Sequence, residues 1–273
     1  MKKTLLKKPN FMTGKAQYET EIPTINATKI TRISAMGSEL NRNSCDKVES
    51  PRQIRKIGPT RRSVSGVFSF RGEDGIPFES TLERDFLVRK EFSPVVLKVI
   101  PQPVRIPFTA LNGGSYTYTP DFLVYYRAGD YPWSDCGLKP LLVEVKPRSD
   151  LRDKWLEMKP KFRAALRYAH EQGWDFRIHD ETRIRDQVFQ NILFLKRYKR
   201  MQFAAEDTQW LLDTLSEIGQ APFEHLVGRH FRGLTDTAVG ISHIWHLLAT
   251  GLLDCDMTCP LANNTVLWRR QDG

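Results

Sequence analysis

The sequence has few cysteines and no long apolar run, and each absence excludes a class of protein. Its 273 residues include four cysteines, too few and too scattered for a disulfide framework. Cys255 and Cys259 lie four apart, but no second Cys or His pair follows at zinc spacing, so ordinary thiols in a reducing compartment are favoured. Without about 18 consecutive apolar residues there is no transmembrane helix, and no signal peptide is recognisable. We therefore expect a soluble, intracellular chain.

The formal net charge is +9, and it is concentrated at one end of the chain. Residues 1–70 carry 14 Lys and Arg against 5 Asp and Glu, whereas residues 71–273 carry 27 of each. Such a block is typical of an arm that contacts a polyanion such as DNA. A solubilising, poorly ordered tail explains the same composition. We predict an extended, partly ordered basic arm over residues 1–65.

Residues 66–200 show the patterns of a mixed α/β domain. The predicted elements are a helix over 80–92, strands over 95–108, 115–126 and 140–146, a helix over 153–171, a strand over 174–180, and a helix over 181–198. Three consecutive strands favour an antiparallel meander, and the later strand–helix–strand step favours a right-handed crossover. Pro101 and Pro103 interrupt the first strand, and Pro160 is expected to start or kink its helix.

Residues 201–273 have a different pattern. Three short amphipathic helices are followed by a β-hairpin with Asn263 and Asn264 near its turn. This order predicts a winged-helix domain. We place the domain boundary near residue 200, after the basic run at 196–200.

Two acidic residues and a lysine fall on neighbouring predicted strands. Side chains alternate along a strand, so Glu144 and Lys146 share one face while Val143 points to the other. If the two strands pair, Asp121 meets Glu144 on that face. Burying these charges without partners would cost several kcal/mol, about the range measured for unpaired buried ions. A surface Asp and an exposed Glu–Lys pair remain the plainer interpretation.

A divalent cation would compensate the carboxylates. Oxygen ligands suit Mg²⁺, which also accepts water and substrate phosphate as ligands, and Mn²⁺ can substitute for it. Lys146 would then orient the attacking water or stabilise charge that develops at phosphorus. The pattern therefore predicts a metal-dependent nuclease that cleaves phosphodiester bonds.

Glu83 is a further candidate ligand with a competing role. Ser80 and Glu83 have the spacing of a helix capping box, in which Glu83 would only satisfy the backbone N–H of Ser80. Glu79 is the alternative acidic ligand. We predict Glu83, Asp121 and Glu144 as metal ligands and, with Lys146, as the catalytic set.

Basic residues follow the Glu144 strand. They either line a DNA path through phosphate contacts or form a solvated helix face. The group comprises Arg148, Arg152, Lys154, Lys159, Lys161, Arg163 and Arg167.

Three segments resemble TnsA, the endonuclease subunit of the heteromeric Tns transposases. They are FESTLERDF (78–86), TPDFLVYY (119–126) and LLVEVKPR (141–148). The resemblance covers residues 65–200 and, less specifically, the C-terminal helices and hairpin. It implies a restriction-endonuclease-like catalytic domain, with a mixed sheet flanked by helices, followed by a winged-helix domain over 201–273.

The resemblance also implies a role. Glu83, Asp121, Glu144 and Lys146 would form the active site; some family members carry Gln at the position of Glu144. The chain would cut the 5′ ends of a transposon, while a TnsB-like transposase cuts and joins the 3′ ends and a TnsC-like AAA+ regulator contacts the complex. A cytoplasmic, nucleoid-associated location in a bacterium is implied as well.

Two alternatives remain open at this point. The first is a stand-alone restriction or repair nuclease of the same fold, which should cut DNA without partners. The second is a non-catalytic winged-helix DNA-binding adaptor with a degenerate nuclease domain. The intact set of four residues argues against degeneracy.

Overall fold

The computed structural model describes Gln53 and residues 64–72, 75–127 and 138–270. Nearly all of the predicted basic arm, residues 1–65, lies outside this part of the chain. The described residues belong to one compact unit spanning residues 49–273. None of their helices has the length and apolar composition needed to cross a lipid bilayer.

Eleven strands and seven helices make up the described part of the chain. In order they are β1 (Gly66–Ser69), β2 (Gly75–Phe78), α1 (Thr81–Phe92), β3 (Val96–Pro101), β4 (Ile106–Thr109), β5 (Ser115–Tyr118), β6 (Phe122–Tyr126), β7 (Leu141–Val145), α2 (Arg148–Glu171), β8 (Asp175–His179), α3 (Glu181–Ile184), α4 (Gln187–Leu195), α5 (Ala205–Ile218), β9 (Gln220–Pro222), α6 (Phe223–His230), α7 (Leu234–Thr250), β10 (Leu253–Cys255) and β11 (Val266–Arg269).

A four-stranded mixed sheet in the order β3-β6-β7-β8 forms the centre of the first half. Strands β3, β6 and β7 are antiparallel neighbours. Strand β8 lies parallel to β7. Parallel neighbours need a long connection, and α2 supplies it. The predicted mixed sheet flanked by helices is therefore confirmed.

Two of the predicted strands are each split in two. The 95–108 stretch leaves the sheet at Gln102, which has a positive φ of 45°, and continues as β4, which pairs with β5 in a separate hairpin. The chain rejoins the sheet at Asp121, whose carbonyl accepts from the Gln102 N–H at 2.8 Å. Pro103 cannot donate to a ladder, so the excursion begins where the sequence loses its sheet hydrogen bonds.

Helices α1 and α2 cover opposite faces of this sheet. On one face Val143 and Val145 lie in a cluster with Phe86 of α1. On the other, Leu142 lies in a cluster with Phe162 of α2. All five strand residues of β7 are buried, as expected for a central strand with helices on both faces.

Pro160 lies inside α2 and does not end it. The helix spans Arg148–Glu171, and its backbone is non-helical at Lys154 (φ −117°, ψ 18°). A proline ring crowds the carbonyl four residues earlier, here that of Leu156. The distortion at Lys154 lies six residues before Pro160 and two before Leu156, so α2 is kinked upstream of the proline, and the helix begins five residues before the predicted start.

The second half contains α5, α6 and α7 and a three-stranded antiparallel sheet in the order β10-β11-β9. The predicted three helices and hairpin are present, and β9 between α5 and α6 is an additional strand. The predicted turn residues, Asn263 and Asn264, fall in the connection between β10 and β11. The winged-helix assignment and a boundary near residue 200 remain predictions.

Asn191 of α4 fixes the loop after β10. Its buried Nδ2 donates to the carbonyls of Met257 at 3.0 Å and Cys259 at 2.8 Å, and its Oδ1 accepts from the Leu261 N–H at 3.4 Å. One side chain on α4 thus satisfies three backbone groups of residues 257–261, which lie close to α4 although 66 to 70 positions later in the sequence.

We expect Asn191→Ala to lower the free energy of unfolding by about 1–3 kcal/mol, because it removes three hydrogen bonds that a buried side chain makes to the loop. Chemical denaturation of both proteins measures the difference. Asn264→Ala, at an exposed position, is the matched control and should change stability by less than about 0.5 kcal/mol. Equal effects of the two substitutions would contradict the role assigned to Asn191.

Candidate active site

The strand register brings Asp121 and Glu144 together. Phe122 of β6 pairs with Val143 of the antiparallel strand β7, so Asp121, one residue before Phe122, lies opposite Glu144, one residue after Val143. The Asp121 Oδ2 accepts from the Val145 N–H at 2.7 Å. This hydrogen bond ties the carboxylate to the end of β7, where Lys146 follows.

Glu144 is a buried carboxylate with three polar neighbours. Its Oε2 accepts from the Tyr118 hydroxyl at 2.6 Å. Its Oε1 lies 3.2 Å from the Lys161 Nζ and 3.6 Å from the Lys146 Nζ. Since Glu144 is only 1% exposed, these partners compensate much of the cost of removing its charge from water.

Glu83 closes a capping box at the start of α1. The Ser80 Oγ accepts from the Glu83 N–H at 3.1 Å and donates to Glu83 Oε1 at 3.0 Å. The other carboxylate oxygen accepts from the Glu79 N–H at 2.7 Å. Both oxygens of Glu83 are therefore engaged at the helix start, as the competing role required, but they accept from the Glu79 N–H and the Ser80 hydroxyl, where the spacing predicted the Ser80 N–H.

Electrostatics shows that the four predicted residues share one environment. Burial and the nearby charges of Glu144 and Glu83 raise the pKa of Asp121 well above its usual range. Burial also raises the pKa of Glu83, against hydrogen bonds from Glu79 and Ser80 and the charge of Lys146. Three carboxylates close enough to perturb one another disfavour simultaneous ionisation.

Lys146 responds in the opposite direction. Burial acts to lower its pKa, but the charges of Glu144, Asp121 and Glu83 outweigh this and raise it. Lys146 is therefore a cation near neutral pH. The structure brings the four residues together as predicted, with Glu83 held in the helix cap.

Oxygen-donor chemistry suits Mg²⁺ at this site. Mg²⁺ is commonly bound by one or two carboxylates, with water and substrate phosphate as its other ligands, which matches the adjacent pair Asp121 and Glu144. In the described ranges no group of three or more His, Cys, Asp and Glu side chains is arranged to hold a metal ion. Glu83 would have to leave its cap to become a third ligand.

Sequence reasoning missed two members of the site, Tyr118 and Lys161. Burial and the charge of Glu144 raise the pKa of Tyr118 well above its usual range, so its hydroxyl keeps the proton that it donates. Lys161 lies 4.8 Å from the centre of the Tyr118 ring. Lys161 was visible only as one of seven basic residues, and no sequence signal singles it out, because its position depends on how α2 crosses the sheet.

The other six members of that basic group are exposed. Their sequence-based interpretation, a DNA path or a solvated face, therefore stays open, whereas Lys161 contacts Glu144. The six are Arg148, Arg152, Lys154, Lys159, Arg163 and Arg167.

Comparison with protein families matches two consecutive regions of the chain. Residues 93–181 match the family described as TnsA-like endonuclease N terminal. Residues 183–257 match the family described as TnsA endonuclease C terminal. The chain belongs to the TnsA family. No curated protein matches it.

Membership in the TnsA family confirms the resemblance seen in the sequence, which agrees with the set predicted from strand geometry. The first match includes Asp121, Glu144, Lys146 and Lys161, and it begins after α1, so Glu83 lies before it. The chain is therefore a transposase endonuclease subunit, a nuclease that acts in DNA transposition.

Two substitutions separate the cap from the active site. Ser80→Ala removes the cap and should cost about 0.5–2 kcal/mol of stability. Glu83→Gln keeps a residue that can complete a capping box but removes the negative charge, so it should change stability less and reduce DNA cleavage more. Thermal unfolding and cleavage by the complete transposition system measure the two effects. Full cleavage by Glu83→Gln would show that Glu83 serves only as a cap.

Asp121→Asn should stabilise the metal-free protein. The native state raises the pKa of Asp121, so the wild type loses stability as pH rises from the unfolded pKa, about 3.9, towards the native value. An amide does not titrate, and its oxygen can still accept from the Val145 N–H.

We expect a gain of about 0.5–2 kcal/mol near neutral pH, the usual scale for relieving such a site. The gain should shrink as pH falls towards 4 and Asp121 becomes protonated in both states. Denaturation at several pH values checks this. A constant difference at all pH values would contradict the electrostatic explanation.

Proposed function

We propose that this chain uses Mg²⁺ to cut the 5′ ends of a transposon for cut-and-paste transposition, together with a TnsB-like transposase and a TnsC-like AAA+ regulator. The observation that carries the proposal is the convergence of Asp121, Glu144 and Lys146 at one end of the sheet in a TnsA-family chain. Mn²⁺ should substitute for Mg²⁺, because both accept carboxylate and water ligands.

Asp121 and Glu144 would hold the metal, with Glu83 as a third ligand once it releases the Glu79 N–H. When bound, Mg²⁺ lowers the pKa of a water molecule and neutralises charge that develops at phosphorus. The raised pKa of Asp121 in the metal-free protein supports this assignment. Repulsion between adjacent carboxylates disfavours their ionised forms, and a bound divalent cation would relieve that repulsion.

The two lysines divide the remaining work. Lys146 is 30% exposed at its side chain and lies next to Glu144, so it can reach a phosphate oxygen or the attacking water. Lys161 is 20% exposed and lies closer to Glu144. Lys161 and Tyr118 would hold the Glu144 carboxylate in place, while Lys146 stabilises negative charge in the transition state.

The second half would serve the assembly. Its three helices and three-stranded sheet are in the element order of a winged helix, which supports the predicted winged-helix domain. Contacts with the TnsB-like and TnsC-like partners would be made largely there. A nuclease that depends on such partners stays inactive until the complex assembles on transposon ends.

A reconstituted reaction with transposon-end DNA, Mg²⁺ and both partner proteins tests the proposal. Lys146→Met should reduce 5′-end cleavage by about 100-fold or more, the scale for single groups that stabilise transition-state charge, and Asp121→Asn should abolish it. Cleavage at the 3′ ends should persist in both, because another subunit performs it. Lys98→Met, at an exposed position on β3, is the matched control and should cleave normally.

Two outcomes would contradict the proposal. Efficient site-specific cutting by the purified chain with Mg²⁺ alone would indicate a stand-alone restriction or repair nuclease. Normal 5′-end cleavage by Asp121→Asn would indicate an adaptor without catalytic function. To test the metal separately from activity, thermal unfolding with and without Mg²⁺ should show stabilisation of the wild type and a smaller effect on Asp121→Asn.

A further inference from the structure

A cleft of about 910 Å³ lies at the opposite end of α1 from the active site. Helix α1 carries Glu83 in its first turn, and its last residues, Glu91 and Phe92, line the cleft. Twelve helical residues rise about 18 Å. Strand β6 likewise separates the two places, because Asp121 directly precedes this strand and Arg127, which lines the cleft, directly follows it. The cleft is thus distinct from the site of catalysis.

Positive charge from several separate segments converges on this cleft. The cationic lining residues are Arg71, Arg127, Lys196, Lys199, Arg200 and Arg270. Glu91 is the single acidic side chain that the described residues contribute to the lining. Cations from distant parts of the sequence therefore surround a concave surface, where their fields add.

Part of this charge stabilises the fold. The Arg71 guanidinium donates to the carbonyls of Val96 and Ser93, each at 2.7 Å, at the end of α1. Lys199 lies 3.3 Å from Glu91, and Arg270 lies 3.1 Å from Asp254.

Helix ends also compensate the cations. Helices α1, α4 and α7 each end at the cleft, and a helix C-terminus is equivalent to about −0.5 charge. Among the described residues, these ends and two paired acids leave roughly two to three positive charges uncompensated.

Three of the cations have no acidic partner within ion-pair distance in the described part of the chain: Arg127, Lys196 and Arg200. All three are exposed. Two of them belong to the basic run at 196–200, to which the catalytic proposal gives no role. Cations that only solubilise a protein can spread over its surface, whereas these three gather at one cleft.

We propose that this cleft binds the sugar–phosphate backbone of DNA away from the phosphate that is cut. This inference rests on the proposed function, because it takes DNA at the active site as given. At 3.4 Å per base-pair step, the length of α1 corresponds to about five steps, so one short duplex is long enough to reach both places. Backbone contacts of this kind position DNA without reading its sequence.

The test measures DNA binding by the full chain as a function of salt. The triple variant Arg127→Gln, Lys196→Gln, Arg200→Gln should bind a duplex of about 30 base pairs more weakly. The slope of log K against log[salt] should become shallower by about 2–3, because each lost phosphate contact contributes about 0.9. Fluorescence anisotropy from about 50 to 200 mM KCl covers the sensitive range.

Two matched controls separate the cleft from overall charge. Arg127→Lys, Lys196→Arg, Arg200→Lys keeps the charges and should keep most of the slope. Lys98→Gln, Arg105→Gln, Arg229→Gln removes three exposed cations that do not line the cleft and should change the slope by less than about 1. Circular dichroism verifies that each variant folds.

A wild-type slope in the cleft variant, or an equal loss in the distant control, would overturn the proposal. Loss of binding to a poly-glutamate peptide with an unchanged DNA slope would also overturn it, in favour of an acidic protein segment as the occupant. Anisotropy reports DNA binding and not cleavage, so a failure of the cleft, seen in the salt slope, and a failure of the catalytic proposal, seen in 5′-end cleavage, are distinguishable.

Discussion

The buried carboxylate of Glu144 imposes the constraint on which the catalytic half depends. A strand with apolar neighbours on both faces places this charge where water cannot solvate it, and an uncompensated charge there would cost several kcal/mol, about the range for broken buried ion pairs. The fold therefore brings a hydroxyl from β5 and an amine from α2 to the two oxygens of Glu144. The β4–β5 hairpin and the α2 crossover thereby become parts of the active site.

The same region concentrates negative charge around Asp121. Burial and the charges of Glu144 and Glu83 raise the pKa of Asp121, and burial raises the pKa of Glu83. Lys146 partly offsets this repulsion, and its own pKa is raised by the three carboxylates. A cluster of this kind costs stability relative to an apolar core.

Ionic and polar contacts also fix α1 relative to the later helices. Asp85 of α1 accepts from the Arg185 guanidinium at 2.8 Å, and Arg89 forms an ion pair with Asp186, whose carboxylate caps α4. Asn191 of α4 in turn fixes the loop after β10. The helix that carries Glu83 is thus connected, through α4, to residues of the second half.

Local signals determined much of this protein by themselves. Alternation along a strand placed Glu144 and Lys146 on one face, and the spacing of Ser80 and Glu83 indicated the capping box that forms. The order of strands and helices indicated the mixed sheet, because short and long connections favour antiparallel and parallel neighbours respectively. These features depend on a few consecutive residues.

Only the tertiary structure decided the rest. No periodicity reveals that the chain leaves the sheet after β3 and returns at Asp121, nor that Tyr118 and Lys161 meet at Glu144, because these contacts join residues 17 and 26 positions apart in sequence. The cleft at the far end of α1 is likewise built from distant segments. The sequence determined which residues could carry the chemistry, whereas long-range packing decided which of them share a site, since a buried charge selects its partners in space rather than along the chain.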